Sequence, residues 1–305
     1  MPLTRVSWDT MPHHALAYVF FGHVNIDYDG SPTAYGPRQM MNPQPDDDLT
    51  NAGNATKGWF GVMSYSPSDP LVTSRKVLID PTASQFLGKF PVIQRKLNGD
   101  PNPGFYVSTT PQAYGKPYLQ NSYIDASRVP FGALDGRLRP LGLSLGDYGL
   151  AIRHDQNLQS AFYFVDSGAT QYALGECSHR VGKDLGGTGR GSHFNNNYPV
   201  SFIIFPRSGT GPPKLLIEQS DATIQAALRP RLFDLSRASN AQELCLLMGF
   251  NEVAPTNLPR GKAKLDEYLR NPGRPKPSNY ATILLGLATF GFQSYLPSPK
   301  KVEIF

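Results

Sequence analysis

Cysteine is almost absent from this chain of 305 residues. Its two cysteines, Cys177 and Cys245, lie far apart and form no CxxC pair, so neither a disulfide framework nor a zinc site is indicated. The six histidines form no paired ligand motif such as HExxH, and His13 and His14 are merely adjacent near the N-terminus. The sequence therefore predicts no metal and no cofactor.

Long apolar runs are also missing. The longest apolar segment beyond the N-terminal region, residues 281–292, is too short to cross a bilayer and is interrupted by glycine. Residues 1–23 lack the features of a classical secretory signal. We therefore predict no membrane span, and either action outside the producing cell after specialised secretion or a cytoplasmic location.

Charged residues are few, at 17% of the chain, whereas 28 prolines and 29 glycines point to many turns. This composition favours a β-rich body with numerous loops. Most of the net charge of +5 comes from residues 220–305, and a solvated basic surface is the simplest interpretation of it. No nucleic-acid-binding module is visible, so we predict no nucleic-acid partner.

Short runs of aromatic and β-branched residues, separated by Pro/Gly turns, predict a mainly β fold that closes into a barrel. The pattern becomes helical after residue 219, with helices predicted at 241–248, 261–271 and 279–292. We therefore divide the chain into a β-barrel domain, 1–219, and a helical extension, 220–305, which is a candidate contact for an immunity or secretion-machine protein. The predicted strands cover residues 16–21, 59–64, 71–79, 105–109, 123–131, 149–154, 162–165, 200–205 and 214–218.

Two carboxylates mark the stretch with the most chemical information, residues 160–191. A predicted strand ends at Asp166, which opens a Ser-Gly turn, and Glu176 precedes a helix predicted over 177–185. Two carboxylates brought together are what acid/base cleavage of a glycosidic bond requires, although helix caps or solvated charges explain the same residues. Asp147, which stands in a tight turn, is interpreted as structural.

An Asp- and Gly-rich turn at residues 25–35 resembles the start of a calcium loop. Arg38 and Gln39 stand where that loop requires glutamate, so we predict no calcium there. The next polar segment, residues 43–57, is predicted to be a loop in which three consecutive aspartates, 46–48, are solvated.

An ordered series of motifs runs from about residue 17 to residue 207. The motifs are FGHVNIDYDGSPTAYGP (21–37), DDLTNAGN (47–54), GFYVSTT (104–110), YIDASRVPF (123–131), LGDYGLAI (145–152), YFVDSG (163–168), LGECS (174–178) and FIIFP (202–206). Together they resemble glycoside hydrolase family 75, the fungal-type chitosanases and their bacterial relatives.

This resemblance implies an endo-acting, inverting hydrolase of β-1,4-linked amino sugars on a six-stranded double-psi β-barrel. It places the two essential carboxylates of the family on Asp166 and Glu176, of which we assign Glu176 as the acid. Asp27, Asp29 and Tyr35 are expected to bind substrate, because amino sugars invite acidic contacts and aromatic stacking.

The chain departs from the family pattern beside both carboxylates. Ala169 stands where the family usually has proline, and Cys177, His179 and Arg180 follow Glu176. We expect His179 and Arg180 to contact substrate. The family favours chitosan, whereas Arg180 and the basic C-terminal region favour the glycan strand of peptidoglycan.

Three functions therefore remain open. The first is a glycosidase that degrades chitosan or peptidoglycan, in the second case as an antibacterial cell-wall-degrading effector. The second is a lytic transglycosylase on the same barrel, and the third is a non-catalytic glycan-binding module.

Overall fold

The computed structural model describes residues 4–8, 11–37, 43–153, 156, 158–168, 174–189, 194–195, 198, 200–209, 218–238 and 302–304. Within these ranges, three α-helices occur, Pro70–Thr73 (α1), His179–Asp184 (α2) and Asp221–Ala238 (α3). Short 3₁₀ turns lie at Leu49–Ala52, Lys96–Asn98, Gln120–Ser122 and Gly136–Leu141. The strands are Thr4–Trp8 (β1), Met11–Gly22 (β2), Asn25–Asp27 (β3), Gly53–Asn54 (β4), Gly58–Trp59 (β5), Ser64–Tyr65 (β6), Phe90–Pro91 (β7), Phe131–Ala133 (β8), Tyr148–Arg153 (β9), Leu158–Asp166 (β10), Glu176–Ser178 (β11), Val200–Phe205 (β12) and Val302–Ile304 (β13).

One mixed sheet organises the fold, in the order β13-β1-β2-β12-β9-β10-β8-β11-β3. Most neighbours are antiparallel, but β10 with β8 and β11 with β3 are parallel. The prediction of a mainly β fold is confirmed. The described strands form no closed barrel, so the six-stranded double-psi barrel is not seen in this part of the chain.

The centre of the sheet is buried on both faces. All six residues of β9 and all six of β12 are buried, which explains their nearly continuous apolar sequences. Between β9 and β10, Phe162 lies opposite Gly149, where a Cβ atom would come within 2.4 Å of the phenyl ring. Gly149 therefore lets the aromatic ring of Phe162 cross the neighbouring strand.

Local turn chemistry overrides several predicted strands. The prediction of a strand over 71–79 is wrong, because Asp69 accepts a hydrogen bond from the Leu71 amide and Pro70 begins α1. The prediction over 123–131 is also wrong apart from Phe131, since Asp125 closes a turn with Ser127. Segments 59–64 and 105–109 form only two-residue strands and isolated bridges. Segment 214–218 lies outside the described residues except at its last position.

The helix α3 follows residue 219 in a segment for which no individual helix was predicted. Its Ile224 and Leu228 are fully buried, and the helix packs on β2, β9 and β10. The helices predicted at 241–248, 261–271 and 279–292 lie outside the described residues, and the boundary at 219/220 stays a prediction. In the described part of the chain, no helix combines the length and apolarity needed to cross a membrane.

Candidate active site

A cavity of about 650 Å³ lies where β3, β10 and β11 meet the loop after Asp46. Asp166 and Glu176 both line it. Asp27, Asp29 and Tyr35, the other residues that the motifs place in a groove, line the same cavity. The fold therefore brings together five predicted site residues from two segments that are distant in sequence.

Strand ends position the two carboxylates. Asp166 is the last residue of β10, and Glu176 is the first residue of β11, whose parallel pairing with β3 sets it opposite Asn25. The prediction that Glu176 opens a helix is wrong. The helix α2 begins at His179, where the Ser178 hydroxyl accepts a hydrogen bond from the Val181 amide.

Gly168 allows the two carboxylates to approach the same turn. Its amide donates to the Leu134 carbonyl at 3.0 Å, while the Leu134 amide donates to the Asp166 carbonyl at 2.7 Å, which fixes the turn. A Cβ atom on Gly168 would lie 2.5 Å from Oε2 of Glu176. Any side chain at this position would push the Glu176 carboxylate away from the Asp166 turn.

Asp166 is buried with little hydrogen bonding. Its Oδ1 accepts a bond from the Ser167 amide at 2.5 Å, whereas its buried Oδ2 has no hydrogen-bond partner among the described residues. Burial, opposed by the Ser167 amide and assisted by the charge of Glu176, raises the pKa of Asp166 to about 7. A carboxyl group that keeps its proton near neutral pH meets the requirement for a general acid.

Asp27 and Asp29 extend the acidic surface beside Asp166. The Asp29 amide donates to Oδ1 of Asp27 at 2.8 Å, and the Tyr35 hydroxyl donates to Oδ1 of Asp29 at 2.7 Å. Burial and then the charge of Asp166 raise the pKa of both aspartates well above its ordinary value. No positively charged side chain is found among the described residues that line the cavity. The carboxyl groups therefore compete for protons and titrate as a set.

The same cluster has the geometry to hold a cation. Asp27, Asp29 and Asp166 each offer an oxygen atom, and these three atoms lie within 4.8 Å of one another. Carboxylate oxygens suit a hard metal ion such as Ca²⁺, and they also suit the ammonium group of an amino sugar.

The loop before β5 supplies site residues that sequence reasoning missed. The prediction of solvated carboxylates is wrong for Asp46, which is buried and accepts a hydrogen bond from the Thr33 hydroxyl, and Asp47 is half-buried in the cavity wall. Burial raises the pKa of Asp47. The signal that could have found Asp47 is the motif at 47–54, which belongs to the ordered series in the sequence. Thr50, Asn51 and Asn54 from the same segment also line the cavity, as does Phe60, which directly follows β5.

His179 and Cys177 lie in the core near the cavity but do not belong to its lining residues. The His179 ring packs against the rings of Tyr28 and Phe194, with centroids 5.0 Å away in both cases. Cys177 is buried in β11, and burial raises the pKa of its thiol well above the usual value. The position of His179 therefore does not support the expected contact with substrate.

Arg180 ties two helices together. Its guanidinium bonds Asp184 at 2.8 Å within α2 and Asp221 at 2.6 Å at the start of α3, and it donates to the Arg128 carbonyl at 2.9 Å. It is not among the described residues that line the cavity. The expected contact between Arg180 and substrate is therefore not supported by its position.

No protein-family model matches the chain, and no curated protein matches it. The resemblance to glycoside hydrolase family 75 therefore stays a prediction from sequence motifs.

Proposed function

We propose that the protein is a glycosidase that cleaves β-1,4 bonds in an amino-sugar polysaccharide, with Asp166 and Glu176 as its catalytic pair. The observation that carries the proposal is that the ends of β10 and β11 place both carboxylates on one open cavity. The ordered motifs that resemble glycoside hydrolase family 75 support the same activity. The double-psi barrel remains part of this proposal, and the two parallel strand pairings support it.

The environments of the two carboxyl groups support different roles. Asp166 is buried and its pKa is raised to about 7, which favours it as the acid that protonates the leaving glycosidic oxygen. Glu176 would then take a proton from the water that attacks the anomeric carbon from the opposite face of the sugar, which inverts its configuration. This assignment reverses the sequence-based choice of Glu176 as the acid.

The charge of the cavity favours chitosan over peptidoglycan. Its described lining includes five carboxylates and no positively charged residue. Such a surface attracts the ammonium groups of chitosan and repels the carboxylates of peptidoglycan. Arg180, which suggested peptidoglycan in the sequence, is already paired with Asp184 and Asp221. We therefore propose chitosan as the preferred substrate.

The test is to incubate the purified protein with chitosan and with peptidoglycan and to measure new reducing ends. Asp166→Asn and Glu176→Gln should each abolish their release, whereas Asp48→Asn, an exposed aspartate outside the cavity lining, should retain it. Full activity in either catalytic variant would refute the assigned roles. The anomeric configuration of the first product, followed by NMR, reports inversion or retention.

The products also separate the remaining alternatives. Anhydro-sugar ends would show lytic transglycosylation, and glycan binding without new reducing ends would show a binding module. Cleavage of peptidoglycan in preference to chitosan would overturn the charge argument and would support an antibacterial effector.

A further inference from the structure

A second, smaller cavity of about 270 Å³ lies beside the candidate active site. Thr50 lines both cavities. Trp59 lines the second cavity, and its neighbour Phe60 lines the first, with 53% of its surface exposed. The two cavities are therefore adjacent parts of one surface, and a polymer chain that leaves the first would reach the second.

An aromatic pair forms one wall of the second cavity. The rings of Trp59 and Phe86 have centroids 4.3 Å apart and are inclined by 47°. The indole N–H donates to the Lys89 carbonyl at 3.0 Å, which fixes the ring. A Cβ atom on Gly53 would lie 2.6 Å from Cε3 of Trp59, so the indole rests directly on the backbone of β4. The wall is thus formed before any ligand arrives.

Backbone strain accompanies this wall. The turn between Phe86 and Lys89 has positive φ at both central residues, 53° at Leu87 and 73° at Gly88. A two-residue hairpin turn with two positive φ angles suits glycine, whereas leucine pays a steric cost there. Leu87 also leaves 68% of its surface exposed. Strain of this kind is concentrated at functional positions, because a structure keeps it only where the local geometry is needed.

Polar groups complete the second cavity. Asp80 lines it and is held by the amide and hydroxyl of Thr82, at 2.9 and 2.6 Å, and by the Tyr106 hydroxyl at 2.7 Å. Although burial acts in the other direction, these hydrogen bonds lower the pKa of Asp80, so it stays ionised as an acceptor. Ser84 adds a further hydroxyl. An apolar aromatic wall with a few fixed polar groups is the composition of a ligand pocket, and it matches a sugar ring, which has apolar C–H faces and a polar rim.

We propose that this second cavity is an accessory subsite that holds a pyranose ring of the glycan chain bound at Asp166 and Glu176. The identity of the occupant rests on the proposed glycosidase function. Because Thr50 lines both cavities, the glycan chain bound in the first cavity, rather than a separate ligand, is the occupant of the second. The subsite contributes to affinity for long chains by effective concentration and takes no part in bond cleavage.

Binding is tested in the inactive Asp166→Asn background, with chitosan disaccharide and hexasaccharide as probes and calorimetry as the measurement. Trp59→Ala and Phe86→Ala should weaken hexasaccharide binding by about three- to tenfold. Disaccharide binding, which the first cavity satisfies alone, should not change. Leu97→Ala is the matched control, because Leu97 is 83% exposed and lines neither cavity.

Trp59 also provides a direct signal. The chain has two tryptophans, so in a Trp8→Phe protein the fluorescence comes from Trp59 alone, and the hexasaccharide should change it while the disaccharide should not. This measurement leaves the second cavity intact and so does not depend on the folding of an alanine variant. Unchanged hexasaccharide affinity in Trp59→Ala, or an equal loss for both probes, would overturn the subsite.

The glycosidase proposal and the subsite proposal can fail independently of each other. If the wild-type protein releases no reducing ends but binds the hexasaccharide in a manner that depends on Trp59, the subsite stands and the glycosidase proposal fails. If hydrolysis occurs and the alanine variants keep the wild-type KM for the polymer, the glycosidase proposal stands and the subsite fails.

Discussion

Asp147 and Asp166 are two buried aspartates at the same end of the β9–β10 pair, and their surroundings differ sharply. Asp147, 1% exposed, accepts hydrogen bonds from the amides of Ser144, Arg207 and Gly209. Asp166, 8% exposed, accepts one amide bond, and its Oδ2 accepts none from the described residues. Burial is similar, so the two carboxylates differ mainly in the number of hydrogen-bond donors that surround them.

This difference implies opposite contributions to stability. The amides bonded to Asp147 hold the turn after β12 in place, and they would be left unsatisfied without it. Asp166 lies among like charges with no cation in the described cavity lining, so its ionised form costs the folded state free energy. The candidate site therefore lowers the stability of the folded state when its carboxyl groups are ionised.

The largest effect should be on catalysis. Asp166→Asn should lower kcat on chitosan by about 10²–10⁴, because the leaving oxygen loses its proton donor. Reducing-end assays on equal amounts of folded protein measure this loss of kcat. Asp147→Asn, in the folded fraction that remains, should keep kcat near the wild-type value, and an equal loss in both variants would remove the distinction between the two aspartates.

Stability should change in opposite directions. Asp147→Ala should lower the free energy of unfolding by about 3 kcal/mol, because several buried amides lose their acceptor. Asp166→Asn should raise it at about pH 8 by roughly 1–2 kcal/mol, since one charge leaves a cluster of like charges. Urea titrations of both variants check these values. Destabilisation by Asp166→Asn would show that groups outside the cavity lining balance the negative charge of these carboxylates.

The free energy of unfolding of the wild-type protein should fall as pH rises from about 4 to 8. The folded-state pKa of Asp166 is raised to about 7 and those of Asp27 and Asp29 are raised well above their ordinary value, so the folded state binds more protons than the unfolded state in this window. Their stabilising contribution is complete below the unfolded pKa of about 3.9 and is lost as pH passes the folded pKa.

Urea unfolding at a series of pH values measures this slope. Asp166→Asn should flatten it. A slope of the opposite sign in the wild-type protein would contradict the arrangement of raised pKa values.

A glycine variant tests position without removing charge. Gly168→Ala should lower kcat by about tenfold, because the new methyl group displaces chiefly the end of the flexible Glu176 side chain, and its 3.3 Å approach to the Ala133 carbonyl oxygen should cost little thermal stability. Gly115→Ala is a matched control, since its Cβ would lie 2.6 Å from the Ser122 hydroxyl, outside the cavity lining. Retention of full activity by Gly168→Ala would show that the close approach of Glu176 to the turn is not required.

The smallest effect is expected at Phe60. Its exposed ring lines the first cavity, so Phe60→Ala should raise KM for chitosan by about threefold through loss of one stacking surface, with kcat unchanged. Steady-state kinetics separate the two parameters. A fall in kcat at constant KM would place Phe60 in the chemistry rather than in binding.

The sequence was most informative where side-chain pattern and burial agree. The strands β2, β9, β10 and β12 are aromatic and β-branched, and they occur where that pattern predicts them. The strand predicted from the sequence at residues 71–79 is wrong, because Pro70 and the Asp69 cap outweigh the apolar composition. The helix predicted to begin after Glu176 is wrong because pairing with β3 imposes a strand there. Cross-strand pairing between distant segments is a tertiary effect that local propensity does not contain.

The candidate site was predicted through its motifs rather than its periodicity. Asp166 and Glu176 were predicted from the strand end and turn within residues 160–191 and from the ordered series of motifs, and the cavity joins them to Asp27 and Asp29. The second cavity was not predicted, since Trp59 and Phe86 come from separate hairpins and share no sequence pattern. Contacts of this kind depend on how loops pack, which the order of residues alone does not give.

The parallel pairing of β3 with β11 also constrains the order in which the protein folds. It joins residues 25–27 to residues 176–178, so it can form only after a long loop has closed. Contacts between such distant segments slow folding. Asp27 and Glu176 lie in these two segments, so folding intermediates that lack the pairing do not carry the repulsion between their carboxylates.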